Sequence, residues 1–249
     1  MVKNEFDIIG YTLQNMVEQV DHVIIADNMS TDNTRDILEG FGDKVTVVED
    51  NDPAYRQSEK MTKLAIQAKS EGATWVVPFD ADEHWEAIKG GTIADALRGL
   101  DQDVAIAKMY NFVPTEDDSL DCLNPTLRMS YRLKEWNPLH KVACRTHSGL
   151  VIEMGNHSAT YPYQSVRAAD DVLRVRHYPW RSPDQFVNKA VQGGRALALT
   201  DLPDHMGAHW RQYNALVEEH GPEALKAVFE EHFYYKNPSI HGALEYDPI

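Results

Sequence analysis

An α/β fold, with a mostly parallel central sheet and helices on both faces, is what this sequence predicts. Short β-branched runs alternate with amphipathic helical stretches through its first half. Acidic clusters follow two of those runs directly, and no internal repeat or low-complexity linker interrupts the alternation. Strands that alternate with helices require crossover connections, and crossovers produce a parallel sheet covered on both faces.

The elements follow in order. From Asp7 to Val20, apolar residues recur at helical spacing (Ile8, Ile9, Leu13, Met16, Val17, Val20). Val23-Ile24-Ile25-Ala26 is too short for a helix and rich in β-branched residues, so it reads as a strand. It ends in the polar run Asp27 to Asp32, where Ser30 or Thr31 can cap a helix through Thr34, Ile37 and Leu38. Val45 to Val48 is the next strand, Gln57 to Lys69 a helix, and Trp75 to Phe79 a strand. A helix around Ile93 to Leu100 and a strand Val104 to Ala107 complete the alternating part. Phe112 to Pro138 is long, polar and proline-punctuated, the character of a binding loop or lid. Short strands are expected at Lys141–Arg145, Leu150–Met154 and Val172–Arg176, and a helix from Pro183 to Leu199. A tail from Asp201, helical in parts, breaks at Gly221-Pro222.

Composition narrows the classes. The 249 residues suffice for one core, or one core plus a small lobe, and 43% hydrophobic with 25% charged residues is ordinary for a globular protein. No apolar run approaches the ~18 residues of a membrane span, and Met1 to Glu5 lack the apolar stretch of a secretion signal. A cytoplasmic location is the expectation. Two cysteines, Cys122 and Cys144, are too few for a disulfide framework. The net charge of -15 repels a phosphate backbone, so nucleic acid is not the favoured partner. Acidic sites do attract divalent cations, and a cation can carry a phosphorylated ligand.

In open α/β sheets, ligands bind at the carboxyl ends of strands. Asp27-Asn28 stands at one such end and Asp80-Ala81-Asp82-Glu83 at another. Asp80 and Asp82, one residue apart in a tight turn, can converge on one hard cation, with Glu83 adding or orienting an oxygen. Mg2+ and Mn2+ suit such ligands and keep positions open for phosphate oxygens. An acidic surface turn is the plain alternative.

Three stretches in order, Met1 to Glu5, Asp21 to Thr34, and Trp75 to Trp85 with Asp80-Ala81-Asp82-Glu83-His84-Trp85, resemble glycosyltransferase family 2 in its small bacterial and phage-type branch. The clear resemblance covers roughly the first 110 residues. A weaker one continues at Lys141 to Arg145, Gly155-Asn156-His157 and Arg176 to Ser182. The resemblance implies the GT-A fold, a Rossmann-like nucleotide-diphospho-sugar transferase architecture within one domain. Residues 1–110 would bind the nucleotide-sugar, 111–200 the acceptor, and 201–249 would form a helical tail. It implies that Asn4, Glu5, Asp27 and Asn28 lie on the nucleoside side, that Arg56 and Gln57 contact the nucleotide, and that Asp80 and Asp82 form the metal motif. It also implies transfer from a nucleotide-sugar donor, UDP-sugar first, to an acceptor carbohydrate, protein or other hydroxyl compound, with inversion.

Metal sites of this kind often take a late histidine. His177, ending Val172 to Arg176, matches that placement, with His157 its rival; either can equally be an ordinary hydrogen-bonded histidine. Inversion needs a general base, and Asp117, Glu153 and His157 are the candidates. Arg181 stands at a helix entrance, where an arginine can grip a diphosphate, while capping by Ser182 is the structural alternative. A nucleotidyltransferase also uses acidic pairs on an α/β sheet, but no glycine-rich phosphate loop lies near the start of this chain. A non-catalytic nucleotide-sugar or carbohydrate-binding module is the third reading, and the intact acidic motif opposes it.

Overall fold

The computed structural model describes residues 1–119 and 121–249. In chain order it contains α1 (Ile9–Gln19), β1 (Val23–Asp27), α2 (Thr34–Glu39), β2 (Val45–Glu49), α3 (Gln57–Ser70), β3 (Trp75–Val76), β4 (Glu83–Ala87), α4 (Ile93–Arg98) and β5 (Val104–Asn111). Then follow α5 (Pro125–Arg128), β6 (Tyr131–Leu133), β7 (Asn137–Arg145), β8 (Val151–Ile152), β9 (Ala159–Thr160) and β10 (Ala168–His177). The chain ends with α6 (Pro183–Ala198), α7 (Ala208–His220), α8 (Pro222–His232) and β11 (Leu244–Tyr246).

The chain divides into two compact units. The first comprises Met1–Asn51, Gln57–Asn111 and Glu135–His177. Residues 135–177, expected on the acceptor side, belong to it because β7 and β10 complete its sheet. That sheet runs β3-β7-β5-β10-β4, and β1-β2 form a separate parallel pair. Helices do cover both faces. Along β5 and β7, Ala105, Ala107 and Ala143 face a core shared with Leu13 and Met16 of α1 and Leu97 of α4, whereas the alternate residues Val104, Val142 and Cys144 face Met61 and Ala65 of α3. The α/β class is therefore as expected, but the mostly parallel pairing is not. Within the five strands only β5 and β10 run parallel; β3–β7, β5–β7 and β10–β4 are antiparallel. The alternation of strands and helices that implies crossovers stops at β5, and β7 folds back beside it.

The expected strand Trp75–Phe79 is ladder-paired only at Trp75 and Val76, against β7. Beyond Val76 it borders a cavity of 810 Å³ that separates β3 from β1. Ile24 and Ile25 of β1, Val77 and Phe79 after β3, and residues of α1, α3 and α4 line it. The cavity opens to solvent, and Asp21, Glu71, Arg98 and Arg145 line it beside the apolar residues.

The second unit comprises Asp52–Arg56, Phe112–Lys134 and Tyr178–Ile249. Its core is aromatic: Phe186 of α6 is fully buried among Trp180, Tyr213, Phe229 and Phe233. Ser182 caps α6 by accepting from the Gln185 amide at 3.2 Å, as its position before Pro183 predicts. Gly194 lets α7 approach α6: a Cβ there would stand 2.4 Å from the Asn214 side chain.

Candidate active site

The acidic turn owes its shape to reciprocal hydrogen bonds. The Glu83 amide donates to the Asp80 carbonyl at 3.2 Å, and the Asp80 amide donates to Glu83 Oε2 at 3.2 Å. Trp85 Nε1 donates to the same Oε2 at 3.2 Å, and Thr12 of α1 holds the Ala81 carbonyl at 2.6 Å. The turn is thereby tied to a fully buried tryptophan and to a core helix before any ligand arrives.

Lys141 of β7 enters beneath it. Its ammonium lies 2.7 Å from Asp80 Oδ2, 2.6 Å from Glu83 Oε1 and 2.8 Å from the Gly155 carbonyl. A cation at the head of the buried run Val142-Ala143-Cys144 is the sequence signal of such a buried ion pair. Asp80 Oδ1 also accepts from Gln57 Nε2 and Asn156 Nδ2, each at 3.2 Å. Gln57 completes the ring by accepting from the Gly155 amide at 2.7 Å. Gln57 and Asn156 are buried, and Asn156 Oδ1 has no hydrogen-bond partner among the described residues.

The charges follow from this packing. Burial alone would raise the Asp80 carboxyl, but Lys141 outweighs it and holds the group below the usual carboxylate range. Glu83, fully buried, is pushed up to about 7 by burial, against the pull of Lys141. Burial opposes the charge on Lys141, yet its two carboxylate partners overcome that and raise it.

Asp82 and His177 meet by register. His177 is paired with Glu83 across the β10–β4 ladder and with Asn111 across β10–β5. Asp82 is buried, and its Oδ2 lies 3.6 Å from His177 Nε2. His177 Nδ1 donates to Asn111 Oδ1 at 2.8 Å, which turns Nε2 towards Asp82. Among the described residues no group of three or more His, Cys, Asp and Glu side chains could hold a metal ion. The nearest oxygen–nitrogen pair that could offer donors to a divalent cation is Asp82–His177.

His157 donates from Nδ1 to the His140 carbonyl at 2.8 Å. Burial, and then Lys141, push its imidazole below the ordinary value and keep it neutral. Its ring packs on Gly155, whose φ is +76° and where a Cβ would stand 2.3 Å from the imidazole. Gly155→Ala therefore displaces the ring and strains the backbone, and should cost about 2–4 kcal/mol, read as a melting temperature lower by roughly 5–10 °C. A melting temperature unchanged by that substitution would sink this account of the turn.

The remaining candidates are distributed as follows. Val2 bridges Asp27 in parallel, Lys3 Nζ reaches the Asn28 carbonyl at 2.8 Å, and Asn4 (φ +52°) accepts from the Thr31 amide at 2.7 Å. The Glu5 amide donates to Thr34 Oγ1 at 2.9 Å. Asp27 accepts from the Ser30 amide at 3.2 Å and stands 3.8 Å from Arg35, and Asn28 Nδ2 donates to Asp50 at 2.8 Å. These four predicted residues form one loop cluster at the end of β1. Glu153 accepts from Thr160 at 3.2 Å across the β8–β9 hairpin rather than from the Lys141 network.

Arg56, Asp117 and Arg181 lie in the second unit. Arg56 is exposed, 3.4 Å from Asp52. Asp117 lines a 270 Å³ pocket with Asp118, Arg128, Ser130, Tyr131 and Tyr246. Arg181 is buried rather than solvated, donating to the Tyr178 carbonyl at 3.0 Å.

A family model described as glycosyl transferase family 2 matches residues 1–152. No curated protein matches the chain. Among solved structures, S. aureus TarS 1-349 in complex with UDP aligns with a TM-score of 0.42 at 14% identity, over 92% of this chain and 70% of that one. The same protein in complex with UDP-GlcNAc gives 0.42 at 15% identity, over 92% and 71%.

Proposed function

The chain belongs to glycosyl transferase family 2 and is a glycosyltransferase of the GT-A α/β class, and from that premise we propose a divalent-cation-dependent, inverting transfer from a nucleoside-diphosphate sugar to an acceptor hydroxyl. The observation that carries the reading is Asp82 facing His177 on a turn held from beneath by Lys141.

Asp82 and His177 would hold Mn2+ or Mg2+, which when bound would offset the charge of the departing diphosphate. Asp80 acts by position: bound to Lys141, Gln57 and Asn156, it keeps the turn in one conformation so that Asp82 is presented to the donor without reorganisation. The Asp27–Asn28 end of β1, stiffened by Lys3 and Asn4, receives the nucleoside. His157 is the base this reading prefers to Asp117 and Glu153. Its Nδ1 proton is committed to a carbonyl and its ring is neutral, so the Nε2 lone pair can take the acceptor proton as the hydroxyl attacks.

The test is a donor panel. UDP-sugars come first, then GDP-, TDP- and CMP-sugars, each with Mn2+, Mg2+ or chelator. The expected result is release of free nucleotide from one donor, lost on chelation. Release of pyrophosphate instead would mark a nucleotidyltransferase. Silence across the panel, with no thermal stabilisation by any nucleotide plus metal, would overturn the reading.

A further inference from the structure

We propose that the 270 Å³ pocket of the second unit, lined by Asp117, Asp118, Arg128, Ser130, Tyr131 and Tyr246, is a saccharide subsite that takes one uncharged pyranose ring of a glycan. Its volume falls just under the roughly 300 Å³ at which drug-sized pockets begin. That suits a single substituted ring and is too small for a nucleotide-sugar.

The aromatic wall comes from the β6–β11 pair. Tyr131 and Tyr246 are direct cross-strand partners, and their rings stand 5.2 Å apart at 59°. Tyr246 remains 63% exposed, an open ring that the core does not use. The strand that carries it is nevertheless held firmly. The Asp247 amide donates to the Ser130 carbonyl at 2.8 Å, and buried Arg132 pairs with Glu245 at 3.1 Å and Asp247 at 2.8 Å. A tyrosine on a fixed strand supplies contact area at little cost in conformational entropy. Its ring face suits the C–H side of a pyranose, and its phenol the hydroxyls.

The polar wall sets the ligand class. Asp118 Oδ2 accepts from the Thr115 amide at 3.2 Å and Oδ1 from the Thr115 hydroxyl at 2.9 Å, and Thr115 is buried. These bonds orient the carboxylate without using all of its lone pairs. Burial still raises the Asp118 carboxyl above its ordinary value, so a further hydroxyl donor is favourable there. Asp117 is exposed and faces the Tyr131 phenol. Arg128 donates to the Cys122 and Arg181 carbonyls, at 3.5 and 3.2 Å, rather than to either carboxylate. The pocket thus sets two carboxylates against one guanidinium. A carboxylate can take two neighbouring sugar hydroxyls through its two oxygens. A uronate or a sugar phosphate would instead meet net negative charge.

The test titrates the full chain by calorimetry, without nucleotide or metal. The probes are cellobiose, maltose, lactose and N,N′-diacetylchitobiose, with glucuronic acid and glucose 6-phosphate as charged controls. At least one neutral disaccharide should bind with a Kd of about 1 mM or tighter, and both charged sugars about tenfold more weakly or less. Tyr246→Ala removes an exposed ring and should weaken that binding about fivefold to tenfold with an unchanged melting temperature. Asp118→Asn should weaken it at least about fivefold; should that variant fail to fold, Tyr246→Ala decides alone. No binding of any neutral sugar, binding untouched by Tyr246→Ala, or equal binding of the charged sugars would overturn the proposal. None of these readouts uses a nucleotide donor, so their failure leaves the transferase reading standing, and a silent donor panel leaves the saccharide pocket standing.

Discussion

Asp82→Asn lowers kcat/KM by at least about 10³-fold, or roughly 4 kcal/mol of transition-state stabilisation, while the melting temperature stays within about 3 °C of the parent. The two side chains have nearly the same shape, so the buried niche at the end of the turn is filled in both. What changes is the charge that faces His177 across 3.6 Å. An amide is a far weaker ligand for a hard cation than a carboxylate, so the variant should also need a much higher Mn2+ concentration for whatever activity remains. Steady-state kinetics across a Mn2+ series, beside a thermal melt, check both statements. Full activity at the same metal requirement would remove Asp82 from the proposed site.

Lys141→Met is the larger structural effect. It leaves Asp80 and Glu83 buried without their cation, and breaking a buried ion pair from one side costs about 3–5 kcal/mol. For a chain of this length the melting temperature should fall by about 10 °C. The pH dependence gives the sign. In the parent, Asp80 is held low, so its contribution is present above the ordinary carboxylate value near ~4 and is lost as pH falls through the lowered one. Glu83 is raised to about 7, so its contribution is complete below its ordinary value and is lost as pH rises through about 7. Without Lys141 both carboxyls are raised by burial, and both contributions decline with rising pH. The gap in stability between parent and variant should therefore widen from pH 5 to pH 8. A constant gap, or one widest at pH 5, would refute the ion-pair account.

Much of this was legible in the sequence because it is local. The periodicity of Ile9, Leu13 and Met16 specifies α1, the β-branched runs specify β1 and β2, and Ser182-Pro183 starts α6. The acidic turn could be located because it follows an apolar run, and His177 could be named because it ends one. Nothing in those patterns tells which strands lie side by side. Whether β7 runs with or against β5, and that β3 and β1 stand apart, depends on contacts between residues far apart in the chain, which a short window does not contain.

The chemistry divides in the same way. The sequence by itself determined which residue types are available at the strand ends: Asp27 and Asn28, Asp80 and Asp82, His157 and His177. Only the tertiary structure decided what each one touches. Asp80 is separated by 61 positions from the lysine that neutralises it, and His177 meets Asp82 only because the β10–β4 register sets it opposite Glu83. Charge and burial act through space and fall off over a few ångströms, whereas sequence orders residues only along the chain. Residue identity and local periodicity are therefore readable in one dimension, while ion pairing and the value near 7 at Glu83 come into being only when the chain closes on itself.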